Sequence, residues 1–266
     1  MKGIIIITTL FASTGWLISQ PVMEVEGAIK LGNFQDPNPE LGTMRWTGSD
    51  FEIWNGVIWA SLTGNKEVGT VMDIDNNTYK TIRIGSQVWM AENLSVTHYR
   101  NGVLIDQITN YETWAGLSTG AWCYYDNLSS NNIPYGKLYN WYAVDTDVLC
   151  PSGWHVPTEA DLLTLIVQLG GLGIAGGKMK EEGFSHWRSP NSGATNESGF
   201  TGLPGGFRHP ENEFDKSMGS LGAWWSSSES HTNYASILEL SHSANQSTVP
   251  PGSKSLGLSV RCLKDQ

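Results

Sequence analysis

Charge is scarce in this chain. Only 16% of its 266 residues are Asp, Glu, Lys or Arg, and the 26 acids against 16 bases leave a formal net charge of −10. Such a balance lacks the electropositive footprint of a nucleic-acid-binding protein. Cysteine is scarce too: Cys123, Cys150 and Cys262 stand alone, with no C-x-x-C element and no paired histidines, so the familiar zinc spacings are excluded. Long apolar runs are confined to Gly3–Ile18 (GIIIITTLFASTGWLI), shorter than the roughly 20 residues a bilayer span requires. Flanked by Lys2 and by Ser19-Gln20-Pro21, this run reads as a secretory signal peptide over residues 1–19. Cleavage would leave an exported chain with no stable membrane span, and retention of the run as an anchor stays open. No cysteine lies near the junction to carry a lipid.

What is abundant points to sheet and loop. Apolar residues make up 39%, with 12 Trp and 30 Gly, a profile of short strands joined by many turns rather than of a helical bundle. Export allows disulfides to persist, so the three cysteines can form one bridge and leave one thiol over. Residues 20–64 contain LGTMRWTGSDFEIWNGVIWASLTG, where Met44, Trp46, Phe51, Ile53, Trp54, Ile58 and Trp59 alternate with polar residues around Gly48 and Gly56. That pattern predicts a short antiparallel meander, a β-rich module too small to bury a core alone.

A second domain is expected over residues 65–266. It opens with a hairpin of Val71-Met72 and Tyr79–Ile84, followed by a third strand at Gln87–Met90. Asp73, Asp75 and Asn77 have the D-x-D-x-N spacing that begins a calcium loop, without the glycine and bidentate glutamate that complete one. Turn chemistry explains these residues better, and calcium stays the weaker alternative. The middle of the chain is dense in rings from Trp114 to Tyr142, suited to an irregular core layer or to a groove wall.

One helix is legible in LCPSGWHVPTEADLLTLI (residues 149–166). Thr158 fits an N-cap with Asp161 as its reciprocal partner, and Leu162, Leu163, Leu165, Ile166 and Leu169 form an apolar stripe ending at Gly170-Gly171. Glu159 and Asp161 complement the helix dipole there without any need for catalysis. His155 reads as a packed ring bonded to backbone, though its flank leaves a groove-facing ring open. The segment from Phe184 to Ser230 looks like a long loop region, the usual place for recognition. A last strand is expected around Leu256, Leu258 and Val260.

The blocks DIDNNTYKTIRIGSQVWMAENLSVTHYRNG, YGKLYNWYAV, LCPSGWHVPTEADL, GFTGLPGGFR, WWSSSE and GLSVRCLKD, in that order over residues 68–265, resemble the Fibrobacter succinogenes major paralogous domain. A fainter resemblance, carried by GWHVPTEADL, LPGG, WWSSSE and SVRC, is to the C-type-lectin-like fold of formylglycine-generating sulfatase-modifying proteins. Together they imply an α+β fold: a C-type-lectin-like domain with a small twisted antiparallel sheet, one or two helices and long loops, preceded by the short β-rich module. They also imply a disulfide from Cys150 to Cys262, and a location outside the cell or on its surface.

The resemblance does not imply catalysis here. Formylglycine-generating enzymes use two nearby cysteines close to the C-terminus, and this chain has only Cys262 there. The lectin calcium strings Glu-Pro-Asn, Gln-Pro-Asp and Trp-Asn-Asp do not occur in residues 68–265. A hydrolase would have to recruit His155, His186, His209 or His231 with Ser226–Ser228, Asp215 or Glu229, pairs that arise by chance in a Ser-rich chain. The expectation is thus a non-catalytic recognition protein for polysaccharide or for another surface protein, with Trp187, Arg208, His209, Trp224 and Trp225 as candidate contacts. A structural part in an envelope or fibre is the alternative.

Overall fold

The computed structural model describes residues 39–46, 51–54, 59–61, 68–210, 214 and 216–266. The expected signal peptide lies outside the described residues. The chain divides into two compact units, Met1–Ala60 and Ser61–Gln266. Strands β1 (Met44–Trp46), β2 (Phe51–Trp54) and β3 (Trp59–Ser61) form a sheet in the order β1-β2-β3. β1 and β2 are antiparallel with Met44 opposite Ile53, as expected of a meander.

The second unit opens with β4 (Val68–Met72), β5 (Thr78–Ile84) and β6 (Gln87–Met90). Its middle contains β7 (Asp106–Gln107), α1 (Tyr111–Ala115), β8 (Ala121–Cys123), α2 (Asn132–Tyr135), β9 (Leu138–Tyr139) and α3 (Trp141–Val144). Then come β10 (Trp154–His155), α4 (Glu159–Gln168), α5 (Leu172–Met179), β11 (Leu221–His231), β12 (Tyr234–Ser241), β13 (Ser247–Thr248), β14 (Pro251–Ser253) and β15 (Leu263–Lys264). The fold is α+β. A five-stranded antiparallel sheet has the order β10-β15-β6-β5-β4, so the first and last strands of the unit share one sheet.

Alternation in β5 sorts this sheet into two faces. Ile82 and Ile84, with Trp89 and Leu263, pack on Leu162, Leu165 and Ile166 of α4. The expected stripe is right except for Leu163, which faces out. The helix starts as its sequence demands: the Thr158 hydroxyl accepts from the Asp161 amide at 3.2 Å, and Asp161 accepts from the Thr158 amide at 2.9 Å. Helix α5 was not legible, because Gly173, Gly176 and Gly177 argue against a helix on propensity. Tertiary approach explains them: a Cβ on Gly176 would meet the Gln246 carbonyl oxygen at 2.2 Å, and one on Gly177 the Gly193 carbonyl oxygen at 2.2 Å.

Two other expectations change. The segment 221–230 is not loop but most of β11, paired with β12 from Leu221↔Ser241 to His231↔Tyr234 with bulges near Ser226–Ser230. Those bulges break the period that would mark a strand in sequence. The last strand is shorter than expected. Leu258 and Ser259 make single bridges to Tyr139 and Trp224, and ladder pairing starts only at β15. The backbone there threads between the β11 sheet and β9.

Buried cations hold the loops. Lys180 is fully buried, and its ammonium donates to the carbonyls of Ser192 (2.9 Å), Ser241 (2.8 Å) and Ala244 (2.7 Å). Burial pushes Lys180 and Lys137 from 10.5 down to about 8. Above that value the unfolded chain binds more protons than the folded one, so stability should rise with pH from about 8 to about 10. Beyond it Tyr79 and Tyr139, raised by burial, act in the opposite sense. Lys180→Met is expected to flatten the rise, measured as urea midpoints across that range. An unchanged slope would reject the assignment.

Candidate functional site

Four of the five sequence-derived contact residues are interior. Relative exposure is 1% for Trp187, 0% for Arg208, 2% for Trp224 and 0% for Trp225, and only His209 is partly exposed. Trp187 donates to the Gly202 carbonyl at 2.9 Å. Arg208 donates to the carbonyls of Ile108 and Thr109 and stacks 4.4 Å from the Trp114 ring. Trp225 donates to the Tyr139 carbonyl at 2.7 Å, and Trp224 to Asn93 Oδ1 at 2.8 Å. Strand parity sends these two rings to opposite faces, but both faces of β11 are covered, so both become core. A loop-rich domain has few other large side chains with which to fill itself.

Asp73, Asp75 and Asn77, read as turn residues with calcium the weaker alternative, make the local bonds of a turn. Asp73 accepts from the amides of Asp75 and Asn77, from the Asn77 side chain and from Tyr79 Oη at 2.6 Å. Asp75 turns away to the Thr97 amide and hydroxyl and to His98 Nδ1. The carboxylates close a turn and pin the next loop. Among the described residues no group of three or more His, Cys, Asp or Glu is placed to hold a metal.

His155 is not bonded to backbone. Its ring is 39% exposed and bridges two acids, Nδ1 to Asp265 at 2.6 Å and Nε2 to Asp161 at 3.5 Å. His186 sits on Glu181 at 2.8 Å. The Ser226–Ser228 hydroxyls bond instead to the Ser228 amide, the Pro157 carbonyl and the Glu159 amide. The string Gly116-Leu117-Ser118-Thr119-Gly120 has nucleophile-elbow spacing but runs from α1 into β8, the reverse of the strand-to-helix order an elbow needs.

An open groove lies on the other face of the five-stranded sheet. Its volume is about 200 Å³, and it is lined by Gly69, Thr70, Thr81, Arg83, Val88, Trp154 and Lys264. Every strand of the sheet contributes. The pairings set Arg83 opposite Val88, and Trp154 opposite Lys264. Because Leu263 pairs with Trp89, Lys264 falls level with Val88. Arg83, Val88, Lys264 and Trp154 therefore form one row across four strands. Thr81 and Gly69 form the next row, with the Gly69 amide donating to Thr81 Oγ1 at 3.1 Å.

The cations are exposed, Val88 is half-buried, and Trp154 is seated in the core with its edge on the groove. Cys150 and Cys262 are bonded to each other. The bridge fixes the segment leading to β10 against the segment leading to β15, and so fixes Trp154 against Lys264. Sequence reasoning missed this site. Its one local signal is the alternation in KTIRI, where Thr81 and Arg83 share the polar side of a strand; the level placement of Lys264, far away in sequence, has no such signal.

A family model described as the Fibrobacter succinogenes major domain matches residues 82–264. No curated protein and no solved structure matches the chain.

Proposed function

From the premise that the chain belongs to the Fibrobacter succinogenes major domain family, we propose that it is an exported, non-catalytic recognition protein that binds polysaccharide through the groove of its five-stranded sheet. The observation that carries this reading is the groove itself. It sets Thr70 and Thr81 beside the exposed cations Arg83 and Lys264 and beside Trp154, a mixture of polar and apolar surface that suits the apolar ring hydrogens and many hydroxyls of a sugar. Its volume is below the roughly 300–1,000 Å³ of pockets that enclose a whole small ligand, which suits one unit of a long chain lying across the sheet. Export is supported by the disulfide, which persists in oxidising compartments. The domain is of the C-type-lectin-like kind on this reading, supported by the sheet shared between its first and last strands and the helix α4 packed on it.

Gly69→Leu tests the site. Gly69 lies exposed on the edge strand, where a Cβ would point at Thr81 Oγ1 from 3.1 Å, so a leucine fills the groove at little cost to the core. Affinity electrophoresis against neutral and acidic polysaccharides should show retardation of the parent protein and at least a tenfold loss in the variant, about 1.4 kcal/mol. Retention of full binding by Gly69→Leu would move the site elsewhere.

A further inference from the structure

We infer that the outward side of the α4–α5 hairpin is a contact face for a second copy of this chain, the two copies meeting antiparallel along α4 about a two-fold axis. This does not rest on the reading of the groove, which lies on the face of the five-stranded sheet opposite α4 and stays open in each copy.

The face begins as a feature of the sequence. Residues 162–177 (LLTLIVQLGGLGIAGG) contain no charged side chain, whereas an amphipathic helix normally turns charge toward its solvent side. Burial divides the run: Leu162, Leu165, Ile166 and Leu169 pack inward, while Leu163 and Val167 are exposed, Val167 by 73%. These two are i, i+4 neighbours on one side of α4, and Gly170 continues their line three residues on. Ile174 of α5 covers that position, since a Cβ on Gly170 would meet Ile174 Cδ1 at 2.6 Å, and Ile174 is itself exposed. Exposed Leu172 opens α5, and beside it a Cβ on Gly173 would meet nothing within 4 Å. The result is an apolar stripe over two helices with room for a close neighbour.

Charge decides what can cover it. In a chain of net charge −10, two copies repel wherever their acids face each other, so self-association is least opposed at a face built from a segment that carries none. The charged residues that flank the run are already engaged. Glu159 accepts from the Ser236 hydroxyl, and Asp161 is held in the capping box. At the other end the Lys178 ammonium, 3.9 Å from where a Gly170 Cβ would stand, pairs with Glu197 at 2.8 Å. A helix that lies on a bilayer would instead be rich in Lys and Arg along its polar side. The stripe is also self-complementary. A two-fold axis crossing α4 between Leu163 and Val167 sets Leu163 on the partner's Val167 and the reverse, the isologous pattern of closed dimers. Four such side chains offer roughly 400 Å², below the roughly 800 Å² per partner of a standard interface, so the dimer is weak and reversible.

Sedimentation equilibrium tests this. The mass of the parent protein should rise from monomer toward dimer between about 5 and about 500 µM, the range of a small interface. Val167→Glu and Leu163→Lys should each weaken the dimer at least tenfold, with circular dichroism unchanged, since both positions are exposed. An equimolar mixture of the two variants is decisive. The antiparallel pairing sets the acid of one variant against the base of the other and leaves the second Leu–Val contact intact, so the mixture should dimerise at least tenfold better than either variant alone. A mixture that stays monomeric, or a dimer that either single variant leaves intact, would overturn the proposal. So would a parent that remains monomeric throughout. Flotation of the parent with phosphatidylcholine vesicles that Val167→Glu abolishes would assign the face to a bilayer and overturn it as well.

Discussion

The Cys150→Ala/Cys262→Ala variant is expected to be about 4–5 kcal/mol less stable than the parent in urea denaturation, the largest effect of any change proposed for this chain. The bridge spans 112 residues. In the chain-entropy description, closing a loop of that length removes about 4–5 kcal/mol of freedom from the unfolded state. Domains of this kind have only about 5–15 kcal/mol in total, so the variant should approach half-unfolding under mild conditions. The loop it closes contains α4, α5 and the whole β11–β14 sheet. Strands β10 and β15 pair over only two residues each, Trp154↔Lys264 and His155↔Leu263, which leaves the bridge as their principal tie. Loss of the groove should therefore precede loss of the core. Reductant should reproduce the effect in the parent. Cys123 should not rescue it, because burial pushes its thiol up to about 11 and leaves little thiolate for exchange. A loss below about 1 kcal/mol would show that the unfolded chain is already compact without the bridge.

Asn93→Ala should cost about 3–5 kcal/mol, measured in the same way. Asn93 ties three distant segments at once. Its Oδ1 accepts from Trp224 Nε1 and Arg261 Nε, each at 2.8 Å, and its Nδ2 donates to the Tyr135 carbonyl at 2.8 Å and to Ser259 Oγ at 3.2 Å. Arg261 is wholly buried, stacked 4.2 Å from the Phe200 ring, with its remaining donors on the carbonyls of Phe200 and Thr201. Truncating Asn93 strands a guanidinium donor and an indole donor in the interior, at about 1–3 kcal/mol each. Asn93→Asp separates the hydrogen-bond account from a packing account. It keeps the acceptor toward Arg261 and Trp224 but sets a carboxylate oxygen against the Tyr135 carbonyl, so it should lose less than the alanine variant. Equal losses in the two would mean that volume, not the acceptor, matters at this position.

The parts of this fold that were legible in sequence are those whose cause is local. Thr158 and Asp161 start α4 because a cap needs only its own first turn, and the hairpin before Met90 follows from alternation and from Asp73 closing its own turn. Helix α5 was not legible, since the reason for its glycines lies at Gly193 and at Asn245–Gln246. Strand β11 was not, since its bulges are set against β12. Four of the five residues chosen for their chemistry go to the interior for one reason: Trp and Arg are useful at a binding surface and equally useful inside a loop-rich core, and composition does not say which. Burial sends Trp187, Arg208, Trp224 and Trp225 to the interior.

By itself, then, the sequence determined the family, the α+β class and the capping box that starts α4, whose signals are residues close together in the chain. The tertiary structure bears out the Cys150–Cys262 bridge that the resemblance implied. It alone decides which rings are core and that Arg83, Val88, Lys264 and Trp154 stand in one row. Those depend on strand register between residues as much as 181 positions apart, Arg83 to Lys264 (264 − 83). Register is set by the packing of both sheet faces at once, which no local pattern encodes.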